Sequence, residues 1–180
     1  MSSKSAKILI TGLPGCGKTT AIIQIAAALK HKKIAGFYTQ EIREENIRRG
    51  FRWRRFDGAE GILAHINIKS PFRVGKYRVD VAGFEKLVAP VLDIENTGAE
   101  LFIIDEIGRM ECLSEKFVAA VRRLFESEKS VLAAVSQKGA GFISEVKNYP
   151  CVKIFNLSRR DCDKTIAEIL QILLAAKELL

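Results

Sequence analysis

The chain has 180 residues, a length that suits one domain with a sizeable core, and we expect residues 1–180 to form a single domain. Apolar residues make up 48% of the chain, which excludes an intrinsically disordered protein. The formal net charge of +8 suits an anionic ligand, either a nucleotide or a nucleic acid, although solubility alone would also explain it.

The first predicted strand, residues 7–11, leads into Gly-Leu-Pro-Gly-Cys-Gly-Lys-Thr at residues 12–19, which fits the P-loop pattern Gly-x-x-x-x-Gly-Lys-Ser/Thr. Glycines let the backbone turn so that successive N–H groups point at one anion, and a helix predicted over 20–29 adds the positive end of its dipole. Lys18 is expected to reach the β and γ phosphates, and the Thr19 hydroxyl is expected to bind Mg²⁺. The alternative is a chance match, but the motif requires the strand, loop and helix that the sequence predicts.

Residues 34–39 predict a second buried strand, so strand, helix and strand imply a right-handed parallel crossover. The pattern changes over residues 50–80, where apolar and charged residues alternate and glycines and Pro71 interrupt them. Alternation with a period of two is typical of antiparallel strands with one solvated face. The segment is too short for a separate domain, and we interpret it as a β insertion on an otherwise parallel sheet.

Six arginines lie close together at the start of this insertion and leave two interpretations open. They are Arg43, Arg48, Arg49, Arg52, Arg54 and Arg55. One interpretation is a solvated strand face, and the other is a guanidinium cluster that faces phosphates or a nucleic acid backbone. Phe51 and Trp53 could stack on bases, although core packing is the commoner use of aromatic side chains at this spacing.

The rest of the chain alternates between strands and helices. Strands are predicted at 101–106, 131–135 and 151–156, and helices at 84–92, after Ser114 as N-cap, and after the loop 157–161. Alternation around a P-loop predicts an α/β fold, a three-layer P-loop NTPase sandwich with a mainly parallel sheet and a short antiparallel β insertion. Ligands then bind beyond the carboxyl ends of the strands.

The strand at 101–106 ends in two adjacent carboxylates, Asp105 and Glu106. An apolar strand that ends in Asp is the Walker B pattern, so Asp105 is expected to hold Mg²⁺ opposite Thr19 rather than only to cap a turn. Glu106 is expected on the other side of the strand end. There it could accept a hydrogen bond from a water behind the γ phosphate and act as a general base. A salt-bridged surface glutamate is the alternative.

Phosphoryl transfer also needs positive charge, and an added arginine can raise its rate by ~10³–10⁵. Lys18 and Glu106 are the first candidates for catalysis, and Arg109, three residues past Glu106, is a candidate for the added arginine. The arginines of residues 43–55 are further candidates, and the sequence does not choose between them. Ser136 and Gln137 follow a buried strand, where a polar side chain could sense the γ phosphate.

Cysteine spacing and hydropathy exclude further classes of protein. The four cysteines form no Cys-x-x-Cys pair and the chain has two histidines, so free thiols are a better expectation than disulfides or zinc. Residues 1–6 are short and polar and predict no secretory signal. The apolar stretch 166–176 is interrupted by Glu168 and Gln171 and is too short to span a bilayer. We therefore expect a cytoplasmic protein with no membrane partner.

Four stretches together resemble the small nucleoside-triphosphatases of thermophilic microbes and of the cancer-related type. They are the P-loop at 12–19, Gly-Phe-Tyr-Thr-Gln-Glu-Ile-Arg at 36–43, Val-Gly-Lys-Tyr-Arg-Val at 74–79, and Ile-Asp-Glu-Ile-Gly-Arg-Met-Glu at 104–111. They occur in the order of that family, and the resemblance covers nearly the whole chain. It implies Mg²⁺-dependent hydrolysis of a nucleoside triphosphate (NTP) to the diphosphate (NDP) and phosphate, with a loose preference for the base.

The resemblance also implies which residues contact the nucleotide. They are Gly12, Leu13, Pro14, Gly15, Cys16, Gly17, Lys18, Thr19 and Thr20, then Leu101, Phe102, Ile103, Ile104, Asp105, Glu106, Ile107 and Gly108, and finally Arg160. Arg160 and Asp161 resemble a segment that lies near the base in this family. The family commonly has Lys at the position of Arg109 and Asn at the position of Arg159. The first difference keeps the charge, and the second leaves the contacts with the base open.

Two other functions would use the same P-loop. A kinase could use residues 43–80 as a lid over an acceptor, and a nucleic-acid-associated ATPase could use the positive charge and the Arg-Trp-Arg-Arg segment at 52–55. Glu106 favours water as the acceptor. Hydrolysis of free ATP, GTP, CTP and UTP is therefore the preferred hypothesis, with Mg²⁺ as cofactor, nucleic acid as a partner that is not favoured, and an oligomeric state that the sequence does not predict.

Overall fold

The computed structural model describes residues 5–176, so most of the polar segment at residues 1–6 lies outside it. The strands are β1 (Lys7–Thr11), β2 (Ile34–Glu44), β3 (Ile47–Arg55), β4 (Glu60–His65), β5 (Arg73–Val74), β6 (Tyr77–Val79), β7 (Leu101–Ile107), β8 (Ser130–Val135) and β9 (Val152–Asn156). The helices are α1 (Lys18–Ala28), α2 (Val81–Val91), α3 (Glu115–Glu126), α4 (Phe142–Glu145) and α5 (Cys162–Ala175). These strands form one sheet in the order β5-β6-β4-β3-β2-β7-β8-β1-β9.

The sheet has two parts with different pairing. Strands β2, β7, β8, β1 and β9 are parallel, and we call them the parallel half. Strands β3, β4, β6 and β5 extend the sheet beyond β2 with antiparallel pairing, and we call them the antiparallel half. The predicted combination of a parallel sheet with an antiparallel insertion is therefore what the structure shows.

The antiparallel half begins earlier than predicted because β2 is longer than predicted. We expected β2 to end at residue 39, but it continues to Glu44 and turns back through Glu45 and Asn46. These two residues have positive φ angles of 49° and 63°, the conformation that a two-residue hairpin turn requires. Strand β3 then starts at Ile47 instead of residue 50.

Helices cover both faces of the parallel half, which gives the three layers that the sequence predicts. Side chains alternate between the faces along each strand. In β1, Leu9 joins the core beneath α2 and α3, while Ile8 and Ile10 join the core beneath α1 and α5. Because these strands are parallel, their polar carboxyl ends lie at one edge of the sheet, between the two helical layers.

Three phenylalanines fix β2 against the helices on its face. The ring of Phe37 in β2 lies 5.4 Å from Phe84 in α2 and 6.2 Å from Phe117 in α3, measured between ring centroids. All three side chains are fully buried. Replacing one of them with Ala would cost about 3–5 kcal/mol. The cluster thus packs β2 against α2 and α3, and β2 pairs with β7, which carries the predicted carboxylate pair.

Helix starts follow their capping residues. Ser114 is the N-cap of α3 as predicted, because its Oγ accepts a hydrogen bond from Phe117 N–H at 3.1 Å. Helix α2 begins three residues earlier than predicted because Asp80 caps it, with Oδ1 accepting from Gly83 N–H at 2.9 Å. Pro90 lies inside its last turn. The short helix α4 was not predicted, because one turn leaves no periodic pattern to detect.

The two predictions from cysteine spacing and hydropathy concern residues that the structure describes. All four cysteines are free thiols. No helix within residues 5–176 has the length and apolar content needed to cross a bilayer.

Candidate functional site

The P-loop joins β1 to α1 at the carboxyl end of β1. Two of its positions require glycine, each for a different structural reason. A Cβ atom on Gly12 would lie 2.7 Å from the carbonyl oxygen of Leu157, so the loop after β9 leaves no room for a side chain there. Gly17 has a φ of 105° at the N-cap of α1, a conformation that side chains rarely adopt. The chain therefore enters α1 at Lys18, two residues earlier than predicted.

Lys18 lies between the P-loop and the second carboxylate. Its Nζ donates to the carbonyl oxygen of Gly12 at 3.3 Å and lies 3.9 Å from Glu106 Oε2. Its side chain is 11% exposed, so its charge is only partly screened by solvent. This is the position at which the motif places a cation against the terminal phosphates of a nucleotide.

Thr19 and Asp105, the predicted metal ligands, lie side by side. Thr19 Oγ1 donates to Asp105 Oδ2 at 2.6 Å. Asp105 is 1% exposed, and burial raises the pKa of its carboxyl to about 7, although hydrogen bonds from Thr19 and from Thr39 N–H act in the opposite direction. A cation beside this carboxyl would favour its charged form. A hydroxyl and a carboxylate are both oxygen ligands, which suit Mg²⁺.

Asp105 and Glu106 lie within β7 rather than at its end, because the strand continues to Ile107. The Asp105–Glu106 peptide bond is cis. The pairing of β7 with β8 shifts between Ile104 and Ile107, so the regular ladder is interrupted where the two carboxylates occur.

Glu106 has a hydrogen-bond donor on one carboxylate oxygen and a cation near the other. Ser136 Oγ donates to Oε1 at 2.8 Å, and Lys18 Nζ lies 3.9 Å from Oε2. The Glu106 side chain is 31% exposed, so water can reach it while these groups fix its orientation. The alternative interpretation was a salt-bridged glutamate at the surface, and the ion pair that Glu106 makes is with Lys18, whose side chain is only 11% exposed. Ser136 thus contacts the carboxylate, whereas Gln137 is exposed and its side chain makes no hydrogen bond within residues 5–176.

Two supporting residues were missed by sequence reasoning. Glu111 is 4% exposed, and burial, followed by the negative charge of Glu106, raises the pKa of its carboxyl to about 8. The backbone N–H groups of Glu111 and Gly108 act on this pKa in the opposite direction. Lys147 Nζ donates to the carbonyl oxygens of Ser136 and Gln137 at 2.8 and 2.9 Å. Glu111 belongs to the Met-Glu of the quoted motif, which was its only signal, and Lys147 had none.

Five apolar residues of β7 were expected to contact the nucleotide, and all five lie in the core. Ile107 is fully buried, and the four residues before the carboxylates, Leu101, Phe102, Ile103 and Ile104, are each at most 1% exposed. Leu101 is four residues before Asp105, which corresponds to ~13 Å along a strand. These residues support the carboxylates from below, and only the end of β7 reaches the site.

The arginines of residues 43–55 pair with acids of the antiparallel half and of β2. Their ion pairs are Arg43–Glu41, Arg48–Glu41, Arg49–Glu44, Arg52–Glu60, Arg54–Glu60 and Arg55–Asp57. Trp53 and Phe51 pack against the buried core, in agreement with the packing interpretation. Of the two interpretations of the cluster, this geometry favours the charged strand face.

Three arginines lie outside that cluster and near the motifs. Arg109 and Arg160 are exposed, and neither has a hydrogen bond or ion pair within residues 5–176. Arg159, by contrast, donates from Nη2 to the carbonyl oxygen of Gly15 at 3.1 Å. The structure therefore brings Arg159 to the P-loop, whereas the sequence analysis had named Arg109 and Arg160 as candidate site residues.

Two cavities of about 260 and 550 Å³ border β2, away from this site. The larger is lined by α1 from Ile23 to Ala27, by Lys30 after the end of α1, and by Tyr38 and Phe56. Neither cavity is lined by the P-loop or by the carboxylate pair. The candidate site is thus recognised by its convergent donors and carboxylates rather than by the volume of a cavity.

Comparison with known proteins shows to which family the chain belongs. A family model described as NTPase matches residues 7–170. The chain belongs to this NTPase family. Among its relatives, nucleoside-triphosphatase THEP1 of Thermotoga sp. (strain RQ2) is 43% identical, over 93% of this chain and 95% of that protein. The cancer-related nucleoside-triphosphatase of Homo sapiens is 32% identical, over 90% of this chain and 93% of that protein.

Solved structures within the NTPase family have the same fold. The crystal structure of THEP1 from the hyperthermophile Aquifex aeolicus has a TM-score of 0.85 at 34% identity, covering 93% of this chain and 98% of that one. The solution structure of a human cancer-related nucleoside triphosphatase has a TM-score of 0.81 at 31% identity, covering 97% and 100%. The fold and the family predicted from the sequence are both confirmed.

Proposed function

We propose that this member of the NTPase family hydrolyses nucleoside triphosphates to nucleoside diphosphate and phosphate. The observation that carries the proposal is the placement of Glu106, 3.9 Å from Lys18 Nζ and 2.8 Å from Ser136 Oγ, directly after the buried Asp105. A carboxylate held beside the phosphate-binding lysine can accept a proton from a water that attacks the γ phosphorus. The names of the relatives support the same reaction.

Mg²⁺ fits the residues present and is the cofactor in this proposal. Thr19 Oγ1 and Asp105 Oδ2, which are 2.6 Å apart, would hold it. Bound there, Mg²⁺ would neutralise negative charge on the β and γ phosphate oxygens. The burial of Asp105 supports this assignment, because a neighbouring cation stabilises a carboxylate that is removed from solvent.

Each residue of the site has a separate role in the reaction. The P-loop amides and Lys18 bind and orient the polyphosphate. Glu106 takes one proton from the attacking water, and Ser136 keeps the Glu106 carboxylate in position. The water oxygen forms a bond to the γ phosphorus while the bond to the β–γ bridging oxygen breaks. The bridging oxygen keeps the electron pair and leaves with the nucleoside diphosphate.

We further propose that the enzyme reads the base loosely. The P-loop contacts phosphates, which all nucleoside triphosphates share, and Arg159 and Arg160 are the long polar side chains of the loop at 157–161. ATP, GTP, CTP and UTP should therefore differ in kcat/KM by less than ~100-fold, which one or two imperfect base contacts can discriminate. Steady-state kinetics with each nucleotide checks this, and a much larger preference for one of them would contradict it.

Phosphate release in the absence of any acceptor tests the proposed function. We expect release from each nucleoside triphosphate with Mg²⁺ present, and almost none after chelation. Release that begins only when an acceptor is added would favour a kinase instead. Stimulation by RNA or DNA with a steep dependence on salt would favour the nucleic-acid-associated ATPase.

Two properties of the whole chain belong to the same proposal. Residues 1–180 would form one domain, which is supported by the single sheet that carries every strand within residues 5–176. The protein would act in a reducing cytoplasm, which is supported by its four free cysteines.

A further inference from the structure

We propose that Lys147 is a positioning residue for the hydrolysis reaction, and that it acts through Ser136 on the Glu106 carboxylate. The inference rests on the hydrolysis proposed above. Its starting point is a pair of hydrogen bonds from Lys147 Nζ to the carbonyl oxygens of Ser136 and Gln137, at 2.8 and 2.9 Å. Ser136 Oγ in turn donates to Glu106 Oε1 at 2.8 Å. A single residue therefore connects Lys147 to the proposed base.

The two oxygens of Glu106 have different surroundings, and the hydrogen bond from Ser136 distinguishes them. Oε2 lies 3.9 Å from Lys18 Nζ and so faces the side on which the phosphates bind. Oε1 accepts from Ser136 Oγ, and a Cβ atom on Gly108 would lie only 2.9 Å from it. Oε1 is thus enclosed between the loop after β8 and the turn after β7. Whatever fixes Oε1 also fixes the direction in which Oε2 can accept a proton.

Ser136 can orient the carboxylate only if its own backbone is fixed, because a single rotatable bond determines where Oγ lies. It follows directly after the end of β8. Its N–H donates to the carbonyl oxygen of Ile107 at 3.2 Å, which ties it to β7. The carbonyl oxygens of Ser136 and Gln137 lie beyond the ladder of β8 and accept from Lys147. The lysine therefore supports this loop where the pairing between strands has ended.

An ammonium group suits this place. It offers three N–H donors on a compact charge, and Lys147 Nζ uses two of them for consecutive carbonyl oxygens. Hydrogen bonds from a charged donor are roughly twice as strong as neutral ones. The side chain is half-buried, so solvent competes only partly for these bonds. Removal of the charge would release both carbonyl oxygens, and the loop could then adopt other conformations.

The segment that carries Lys147 is itself fixed to the core. Lys147 lies in a single 3₁₀ turn directly after α4, and its neighbour Val146 is fully buried. Glu145, at the end of α4, accepts two hydrogen bonds from the Arg122 guanidinium of α3, at 2.7 and 2.8 Å. Because these contacts fix the backbone of the lysine, its side chain can hold the loop in place.

The loop between β8 and α4 is also packed at its centre. A Cβ atom on Gly139 would lie 2.7 Å from Cγ2 of Ile143, a buried residue of α4. The loop thus lies directly on α4 at Gly139, while Lys147 holds the first two residues of the loop. Helix α4 and the turn after it therefore form a platform for the residue that orients the proposed base.

The expected effect is a loss of rate and not of binding. A displacement of about 1 Å in a catalytic group can cost ~10²-fold in rate, and Ser136 keeps its hydrogen bond to β7 without Lys147, so we expect a loss of ~5–50-fold in kcat. The KM for Mg²⁺ and ATP should change by less than ~3-fold, because the P-loop contacts remain in place. An interaction that orients a base for the transition state lowers kcat without weakening the binding of substrate.

The test compares Lys147→Met, Lys147→Arg, Ser136→Ala and the double variant Ser136→Ala/Lys147→Met with the wild type. Met keeps a long apolar side chain and removes the charge. The matched control is Lys164→Met, at an exposed lysine in the first turn of α5 that has no hydrogen bond or ion pair among residues 5–176. Steady-state kinetics gives kcat and KM, single-turnover hydrolysis gives the rate of the chemical step, and urea unfolding gives the stability of each variant.

We expect Lys147→Met to be ~5–50-fold slower in both kinetic measurements with its KM nearly unchanged, and Lys164→Met to match the wild type. Lys147→Arg should regain most of the rate, since Arg keeps the charge and the donors. In the Ser136→Ala background, Lys147→Met should cost less than ~2-fold further, because a residue that acts through the Ser136 hydroxyl then has nothing to position.

A Lys147→Met rate within ~2-fold of the wild type would overturn the inference, and so would losses that multiply in the double variant, which indicate that the two residues act independently. A KM that rises as much as kcat falls, or a Lys147→Met protein that does not fold, would overturn it too, because the lysine would then support binding or the whole fold. A wild type that releases no phosphate would instead overturn the proposed function, and the inference with it.

Discussion

The parallel and antiparallel halves of the sheet both carry many charges, but they use them differently. In the parallel half, Lys18, Asp105 and Glu106 come from two different segments and converge beside the P-loop. In the antiparallel half, each arginine of β3 pairs with an acid of a neighbouring strand or of the turn that follows β3. Parallel strands bring all their carboxyl ends to one edge, whereas antiparallel pairing places side chains opposite one another across a face. A dense run of arginines is therefore a weaker sign of a phosphate site than a few charges at converging strand ends.

The largest effect is expected from removing the P-loop cation. Lys18→Ala deletes the charge that faces the β and γ phosphates, and it should weaken the binding of a non-hydrolysable nucleoside triphosphate by ~10–10²-fold, since a hydrogen bond to a charged group contributes about 1.5–3 kcal/mol. Turnover should be lost with it. Calorimetric titration measures the affinity, with Lys164→Ala as the control for charge. Unchanged affinity in Lys18→Ala would refute the phosphate role of Lys18.

A buried lysine at the opposite edge of the parallel half should make stability depend on pH. Lys7 Nζ donates to the carbonyl oxygen of Leu124 at 2.6 Å, and burial lowers the pKa of Lys7 to about 8 from its usual 10.5. The unfolded chain then binds more protons than the folded one between pH 8 and 10.5, so the free energy of unfolding should rise with pH across that window. The rise due to Lys7 should be roughly 1–2 kcal/mol after allowance for residual solvent.

Urea unfolding of the wild type and of Lys7→Met at pH 8 and pH 10 isolates this contribution, because other groups titrate equally in both. The wild type should gain more stability than the variant between the two pH values. Equal gains would show that Lys7 is not the source of the pH dependence.

The smallest effect is expected in the antiparallel half. Arg54→Gln breaks an exposed ion pair with Glu60, whose atoms lie 2.7 Å apart, and should lower the free energy of unfolding by only ~0.2–1 kcal/mol. Its kcat should stay within ~3-fold of the wild type, because Arg54 does not face the P-loop. Chemical denaturation and steady-state kinetics measure the two quantities. A large loss of kcat would break the contrast between the two halves and return the arginine cluster to the active site.

The features that the sequence predicted well are local. The P-loop, the apolar strands of the parallel half and the Ser114 cap each depend on residues within a few positions of one another. The end of β2 is different, because residues 40–44 are polar except for Ile42 and form a strand through pairing with β3. The same register places Arg43 and Arg48 next to Glu41, with which both form ion pairs. No sequence pattern predicts this shared ion pair.

The sequence predicted the site residues that belong to a motif. It missed the residues that reach the site only because the fold brings distant segments together. Thr19 and Asp105 were paired by analogy between two motifs, and their oxygens lie 2.6 Å apart. Arg159 reaches Gly15 only because β9 lies beside β1, a contact between segments 144 residues apart in the chain. Burial of Glu111 depends in the same way on the turn after β7, so its raised pKa could not be read from composition.

The central claim is that Glu106, at the converging edge of the parallel half, acts as the base for water. Glu106→Gln tests it most directly, because Gln keeps the size of Glu but cannot take the proton. Glu60→Gln makes the same change in the antiparallel half and is the matched control. Single-turnover hydrolysis at saturating Mg²⁺ and ATP should be ~10²–10⁴-fold slower in Glu106→Gln with its affinity for ATP retained, and unchanged in Glu60→Gln. A Glu106→Gln rate within a few fold of the wild type would eliminate Glu106 as the base and contradict the account.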